Sequence, residues 1–78
     1  METSKKLSSL REGESCFITG ISAPGPLRER LMELGFIKGA GVKCLHRNSG
    51  MSAFLISGTV IALRHCDSAG ISAENSVS

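Results

Sequence analysis

Hydrophobic and polar residues alternate in short segments along this 78-residue chain, and the pattern predicts strands more often than helices. Residues 15–21 have period two and carry apolar side chains on both faces, which is typical of a strand. Residues 42–47, 53–56 and 60–63 are also predicted strands, and a weaker segment lies near 70–73. Five short, evenly spaced strands favour a small barrel over an open sheet.

One segment has helical spacing. Leu27, Leu31 and Leu34 stand at positions i, i+4 and i+7, so they form a single apolar stripe. Pro26 suits the first helical position, and Gly35 suits the left-handed residue that ends a helix of about two turns. The sequence therefore predicts one short helix between the first and second strands.

Size, charge and cysteine content limit the possible classes of protein. The chain has room for one domain, which we expect to span residues 7–73, with disordered ends at 1–6 and 74–78. Nine basic and seven acidic side chains give a net charge of only +2, which is too mild to indicate a nucleic-acid-binding protein. The three cysteines lack the short spacing of a disulfide framework, and neither a signal peptide nor a long apolar run is evident. The sequence therefore predicts a cytoplasmic protein with reduced thiols.

Metal ligation is a candidate chemistry because cysteine, histidine and aspartate occur in two small groups. Cys44 and His46 are two residues apart on a predicted strand, which would place them on one face. His65 is followed by Cys66 and Asp67, but neighbouring residues of an extended chain point in different directions. Ferrous sites need a defined constellation, such as two histidines and a carboxylate. We therefore expect no resident metal or cofactor and keep Cys44, His46 and His65 as weak candidates.

Catalysis and nucleic-acid binding have less support in the sequence. The three cysteines and two histidines supply the atoms of a cysteine nucleophile and its base but not the arrangement with an orienting third group. A glycine-rich phosphate loop is also absent, because Gly35, Gly39 and Gly41 follow the helix instead of preceding it. The chain has no tryptophan or tyrosine and three phenylalanines, which is little aromatic surface for bases or polyproline. We expect a protein that is not an enzyme.

Protein binding remains, and the predicted helix is its best location. Met32 lies well around the helix from the leucine stripe, so it should be exposed beside Arg28. Arg30 lies at the edge of the stripe, where its stem can cover the core. Of Phe36 and Ile37, one should fill the barrel while the other extends the exposed patch. We predict a partner-binding surface of Arg28, Arg30, Met32 and Phe36.

Two motifs are specific in combination: a helix that ends in Leu-Gly-aromatic, and a later Ala-Leu-Arg. With these motifs the chain resembles the FeoA-type ferrous iron transport proteins over about residues 7–72. It departs from them at residues 48–52, the loop between the second and third predicted strands, which lacks the prolines that the family often has there. The matching positions are Leu7, Leu10, Gly13, the run Arg30–Phe36, Gly39, Gly58, the run Ile61–Arg64, Ala69 and Ile71.

The resemblance implies a mainly β fold, a small five-stranded SH3-like barrel with one short α-helix inserted after the first strand. It also implies a non-enzymatic cytosolic accessory of bacterial ferrous iron uptake. Such a protein would dock on FeoB, a GTPase-linked membrane transporter, and modulate it at the inner face of the membrane. A small-barrel nucleic-acid-binding or general protein-interaction module stays open, as does a metal-binding regulatory domain like that at the C-terminus of metal-dependent repressors. Homo-oligomers are also compatible with the sequence.

Overall fold

A computed structural model of the chain describes residues 5–75. It contains six strands and two helices, and a single 3₁₀ turn, Leu7–Ser9, follows the first strand. The elements are β1 (Lys5–Lys6), β2 (Ser15–Ile21), α1 (Gly25–Glu33), β3 (Gly41–Arg47), β4 (Met51–Ile56), β5 (Thr59–Arg64), α2 (His65–Ser68) and β6 (Ile71–Asn75).

The six strands form one antiparallel sheet in the order β1-β6-β2-β3-β4-β5. The predicted mainly β fold is confirmed, and α1 follows the strand over residues 15–21, which the sequence predicted as the first strand. The strand count of five was too low, because Lys5 and Lys6 add a short strand by pairing with Ala73 and Ser72. Within residues 5–75, β1 and β5 are the ends of the sheet and do not pair with each other, so the barrel is not strictly closed.

Strand pairing extends past both predicted domain boundaries. Lys5 pairs with Ala73 at one end of the chain, and Glu74 pairs with Phe17 at the other. The predicted boundaries of 7 and 73 were therefore too narrow. The remainder of the predicted disordered ends, residues 1–4 and 76–78, lies outside the described residues. Among residues 5–75, no helix has the length and apolar character needed to cross a membrane.

The core lies between the curved sheet and α1. Alternation along β2 buries Cys16 and Ile18 and leaves Phe17 exposed, as period two requires. At the centre, the rings of Phe36 and Phe54 meet edge to face, with centroids 6.5 Å apart. The buried apolar residues are Leu7, Leu10, Cys16, Ile18, Leu31, Phe36, Val42, Cys44, Phe54, Ile56, Leu63, Ile71 and Ala73.

The leucine stripe of α1 faces this core, as its spacing predicted. Leu31 is fully buried, while Leu27 and Leu34 are partly buried and pack against the same cluster. The helix begins at Gly25, one residue before Pro26, and Pro26 occupies the first turn, where a missing N–H costs nothing.

A Schellman turn ends α1. Gly35 has φ of +108°, in the left-handed region. Its N–H donates to the carbonyl oxygen of Met32 at 3.0 Å, and the N–H of Phe36 donates to the carbonyl oxygen of Leu31 at 3.0 Å. The 6→1 bond brings Phe36 back beside Leu31, and both side chains are buried. The next residue, Ile37, is consequently directed outward and is exposed.

Candidate protein-binding groove

A groove of about 180 Å³ runs between the end of β2 and the helix α1 with its following turn. Its walls are mainly apolar, and two cationic side chains stand at its rim. We call this feature the helix groove. It is lined by Gly20, Ile21, Arg28, Met32, Phe36, Ile37 and Lys38.

The helix α1 supplies one wall of the groove. Arg28 and Met32 are one helical turn apart, so they lie on the same face. Met32 is 42% exposed, in agreement with its predicted outward position. Arg30 is also exposed, but it is not among the groove-lining residues, because two residues of helix turn it about 200° away from Arg28 and Met32. The predicted surface is therefore divided between two sides of the helix.

Phe36, predicted as part of the partner-binding surface, lines the groove from the core side and is not exposed. Its ring is fully buried and forms the floor of the helix groove, because the Schellman turn directs it into the core. Ile37 takes the exposed position and is 48% exposed. The Phe36–Ile37 pair thus divides as expected between core and surface, with Ile37 as the outward member.

Sequence reasoning missed the opposite wall of the groove and one of its cations. Gly20 and Ile21 come from the end of β2, where the register with β6 shifts between Ile18 and Gly20. Lys38 lies in the turn after α1. The apolar character of Ile21 at a strand end was visible in the sequence, but its position opposite α1 depends on tertiary structure.

The family model of the FeoA domain matches residues 5–75, nearly the whole chain. The chain belongs to the FeoA family. Membership confirms the resemblance seen in the sequence and associates the chain with ferrous iron transport in an accessory role. No curated protein matches the chain.

Solved structures agree with this family assignment. The FeoA protein of Chlorobium tepidum is 29% identical, with a TM-score of 0.83 over 90% of this chain and 69% of that one. The zinc-complexed FeoA of Stenotrophomonas maltophilia is 24% identical, with a TM-score of 0.80 over 88% of each chain. That protein is described as a prokaryotic SH3 domain protein and a candidate ferrous iron transport activating factor, so the likeness supports an SH3-like fold.

The same fold also occurs within a longer protein. A manganese-dependent transcriptional repressor matches with a TM-score of 0.87 at 18% identity. The match covers 96% of this chain and 43% of the repressor. At this identity the likeness concerns the fold alone.

The first pair of weak metal candidates does not share a face in this FeoA-family chain. A register shift on β3 between Cys44 and His46 interrupts the alternation, so the expectation that they face the same way was wrong. Cys44 is fully buried, and burial raises the pKa of its thiol, which disfavours the thiolate that a metal needs. His46 is exposed, and its Nδ1 lies 3.1 Å from Oε2 of Glu12.

His65 has a structural contact instead of a ligand partner. Its Nε2 lies 3.3 Å from Oγ of the buried Ser52, which connects α2 to β4. No group of three or more histidine, cysteine, aspartate or glutamate side chains suited to hold a metal occurs within residues 5–75. The structure therefore does not bring Cys44, His46 and His65 together.

Thiol labelling of the native protein should modify one cysteine per chain, Cys66, which is exposed. Cys16 and Cys44 are buried, and burial raises the pKa of the Cys16 thiol to about 11, so neither supplies an accessible thiolate near neutral pH. Titration with an aromatic disulfide at pH 8 gives the count, and unfolding in urea should raise it to three. Rapid labelling of two or three thiols in the native state would contradict the described burial.

Proposed function

We propose that this FeoA-family chain is a non-enzymatic cytosolic accessory of bacterial ferrous iron uptake. It docks on the cytosolic part of FeoB, the GTPase-linked membrane transporter, and modulates that protein. The contact is made through the helix groove and the adjoining face of α1. Family membership supports the transport setting, and the groove supports the docking surface.

The helix groove is the observation that carries the proposal. Two large apolar side chains, Met32 and Ile37, are almost half exposed on either side of the buried Phe36 ring. Methionine adapts its shape to a partner at little cost, and contiguous exposed apolar surface commonly marks a protein contact. Arg28 and Lys38 at the rim add charge that can orient the partner.

The chemistry of the described residues supports a binding role over a catalytic one. Ser52 and His65 bring a hydroxyl and an imidazole within 3.3 Å, the start of a nucleophile–base pair. However, Ser52 is only 2% exposed, so a substrate cannot reach its hydroxyl. The contact therefore serves to hold α2 against β4.

Substitution of the groove wall should weaken association with the cytosolic part of FeoB. We expect Met32→Asp, alone or with Arg28→Glu, to reduce binding at least about tenfold, because it places a charge in an apolar contact. Copurification and titration calorimetry measure the loss, and iron uptake in a strain lacking the native protein reports its consequence.

Met51→Asp is the matched control for that experiment. Met51 is 40% exposed and Met32 is 42% exposed, but Met51 lies at the start of β4, outside the helix groove. The control should bind within about threefold of the native protein, since surface changes away from a contact have small effects. An equal loss of FeoB binding in both variants, or no loss in Met32→Asp, would contradict the proposed docking surface.

A further inference from the structure

The end of β2 loses its neighbour on the side that faces α1. β3 accompanies β2 only along residues 15–17. At Ile18 the hydrogen-bond partner of β2 is the turn that precedes β3. The N–H of Ile18 donates to the carbonyl of Ala40 at 3.0 Å, and the N–H of Gly39 donates to the carbonyl of Ile18 at 2.7 Å. Beyond this point β2 pairs with β6 alone.

The polar backbone groups of Ile21 consequently face the helix groove. Ser22 donates its N–H to the carbonyl of Gly70 at 2.6 Å, toward β6, and antiparallel alternation directs the N–H and C=O of Ile21 the other way. Among residues 5–75, Ile21 takes part in no hydrogen bond outside the strand pairing. A donor and an acceptor are thus available side by side in an apolar wall.

The cations at the rim are not neutralised within the described chain. Lys5 and Arg64 form ion pairs at 2.9 and 3.3 Å, whereas Arg28 and Lys38 form none among residues 5–75. Two unpaired cations beside an apolar groove favour an occupant that carries carboxylates.

The size of the groove favours a chain segment over a small molecule. Its volume of about 180 Å³ is below the range of about 300–1,000 Å³ that is usual for small-molecule sites. An extended segment needs little volume, because its backbone bonds to a strand edge and only alternate side chains enter the pocket.

We propose that the helix groove accepts an extended, acidic and apolar segment of the protein partner. One residue of the segment pairs with the N–H and C=O of Ile21, an apolar side chain enters between Met32 and Ile37, and flanking carboxylates meet Arg28 and Lys38. The proposal rests on the proposed docking function and specifies the chemistry of the docked segment.

Two decapeptides of opposite charge test this chemistry without FeoB. In one, leucine alternates with glutamate, and in the other, leucine alternates with lysine. Titrated into the ¹⁵N-labelled full chain, the glutamate peptide should shift the amide signals of Gly20, Ile21, Met32 and Ile37 and slow amide exchange at Ile21. The lysine peptide should leave these signals unchanged. Equal shifts with both peptides or no shift with either would overturn the proposal. So would shifts centred on Phe17 of β2 and Leu55 of β4, two exposed residues outside the helix groove.

Charge reversal separates this inference from the proposed function. Arg28→Glu with Lys38→Glu should weaken binding to the cytosolic part of FeoB at least about tenfold. The control, Lys6→Glu with Lys43→Glu, changes the net charge equally at exposed positions outside the groove and should have less than about a third of that effect.

The two failures are distinguishable. If the glutamate peptide occupies the groove but FeoB does not bind the native chain, the proposed function is wrong and the preference of the groove for an acidic, apolar segment is supported. If FeoB binds the native chain and both double variants lose affinity equally, that preference is wrong and docking on FeoB is supported.

Discussion

Phe36→Ala should lower the free energy of unfolding by about 3–5 kcal/mol, the cost typical of removing a buried aromatic ring. The ring is fully buried and packs edge to face against Phe54 at 6.5 Å between centroids, so its loss leaves a cavity at the centre of the core. Urea unfolding followed by circular dichroism measures the change. A domain of this size has so little stability in reserve that partial unfolding at 25 °C is an expected outcome.

Ile37→Ala is the control, one residue along the chain. Ile37 is 48% exposed, so its truncation should cost about 1 kcal/mol or less. The same variant should weaken FeoB binding, because Ile37 forms a wall of the helix groove. Similar stability losses for the two substitutions would contradict the division of this pair between core and surface.

Gly35→Ala should lower the free energy of unfolding by about 1–3 kcal/mol. At φ of +108° a side chain is strained, and an added Cβ would lie 3.4 Å from Oγ of Ser57. The Schellman turn also sets the directions of Phe36 and Ile37, so the variant should disturb the helix groove as well. Thermal and urea unfolding measure the stability change, and amide chemical shifts report the groove.

Gly50→Ala is the matched glycine control. Gly50 lies in the turn before β4 and does not have a positive φ, and an added Cβ there would lie 4.0 Å from Oδ1 of Asn48, an ordinary contact distance. Alanine fits such a backbone without strain, so this variant should be neutral or slightly more stable. If Gly35→Ala were as well tolerated as Gly50→Ala, the left-handed end of α1 would not be needed to set the groove.

The helix and its role in the core were predictable from local chemistry. The leucine stripe, Pro26 and Gly35 located α1 to within about a residue at each end, because spacing and turn residues act within a few positions. The exposure of Met32 followed from the same geometry. The opposite directions of Phe36 and Ile37 were foreseen, but which of them faced inward depended on the 6→1 bond of the Schellman turn.

The features that sequence reasoning missed depend on pairing between distant segments. Lys5–Lys6 has no apolar pattern and becomes a strand only through β6. The shift that separates Cys44 from His46 is a bulge that periodicity cannot show. The wall formed by Ile21 likewise exists because β3 ends its pairing with β2 at Phe17.

Hydrogen exchange of the free chain and of its complex with the cytosolic part of FeoB tests the docking claim most directly. We predict slower exchange at Ile21, along the exposed face of α1 and at residues 36–38, with β4 and β5 unchanged. Slowing confined to the outer face of β3, β4 and β5, with α1 unaffected, would contradict the account.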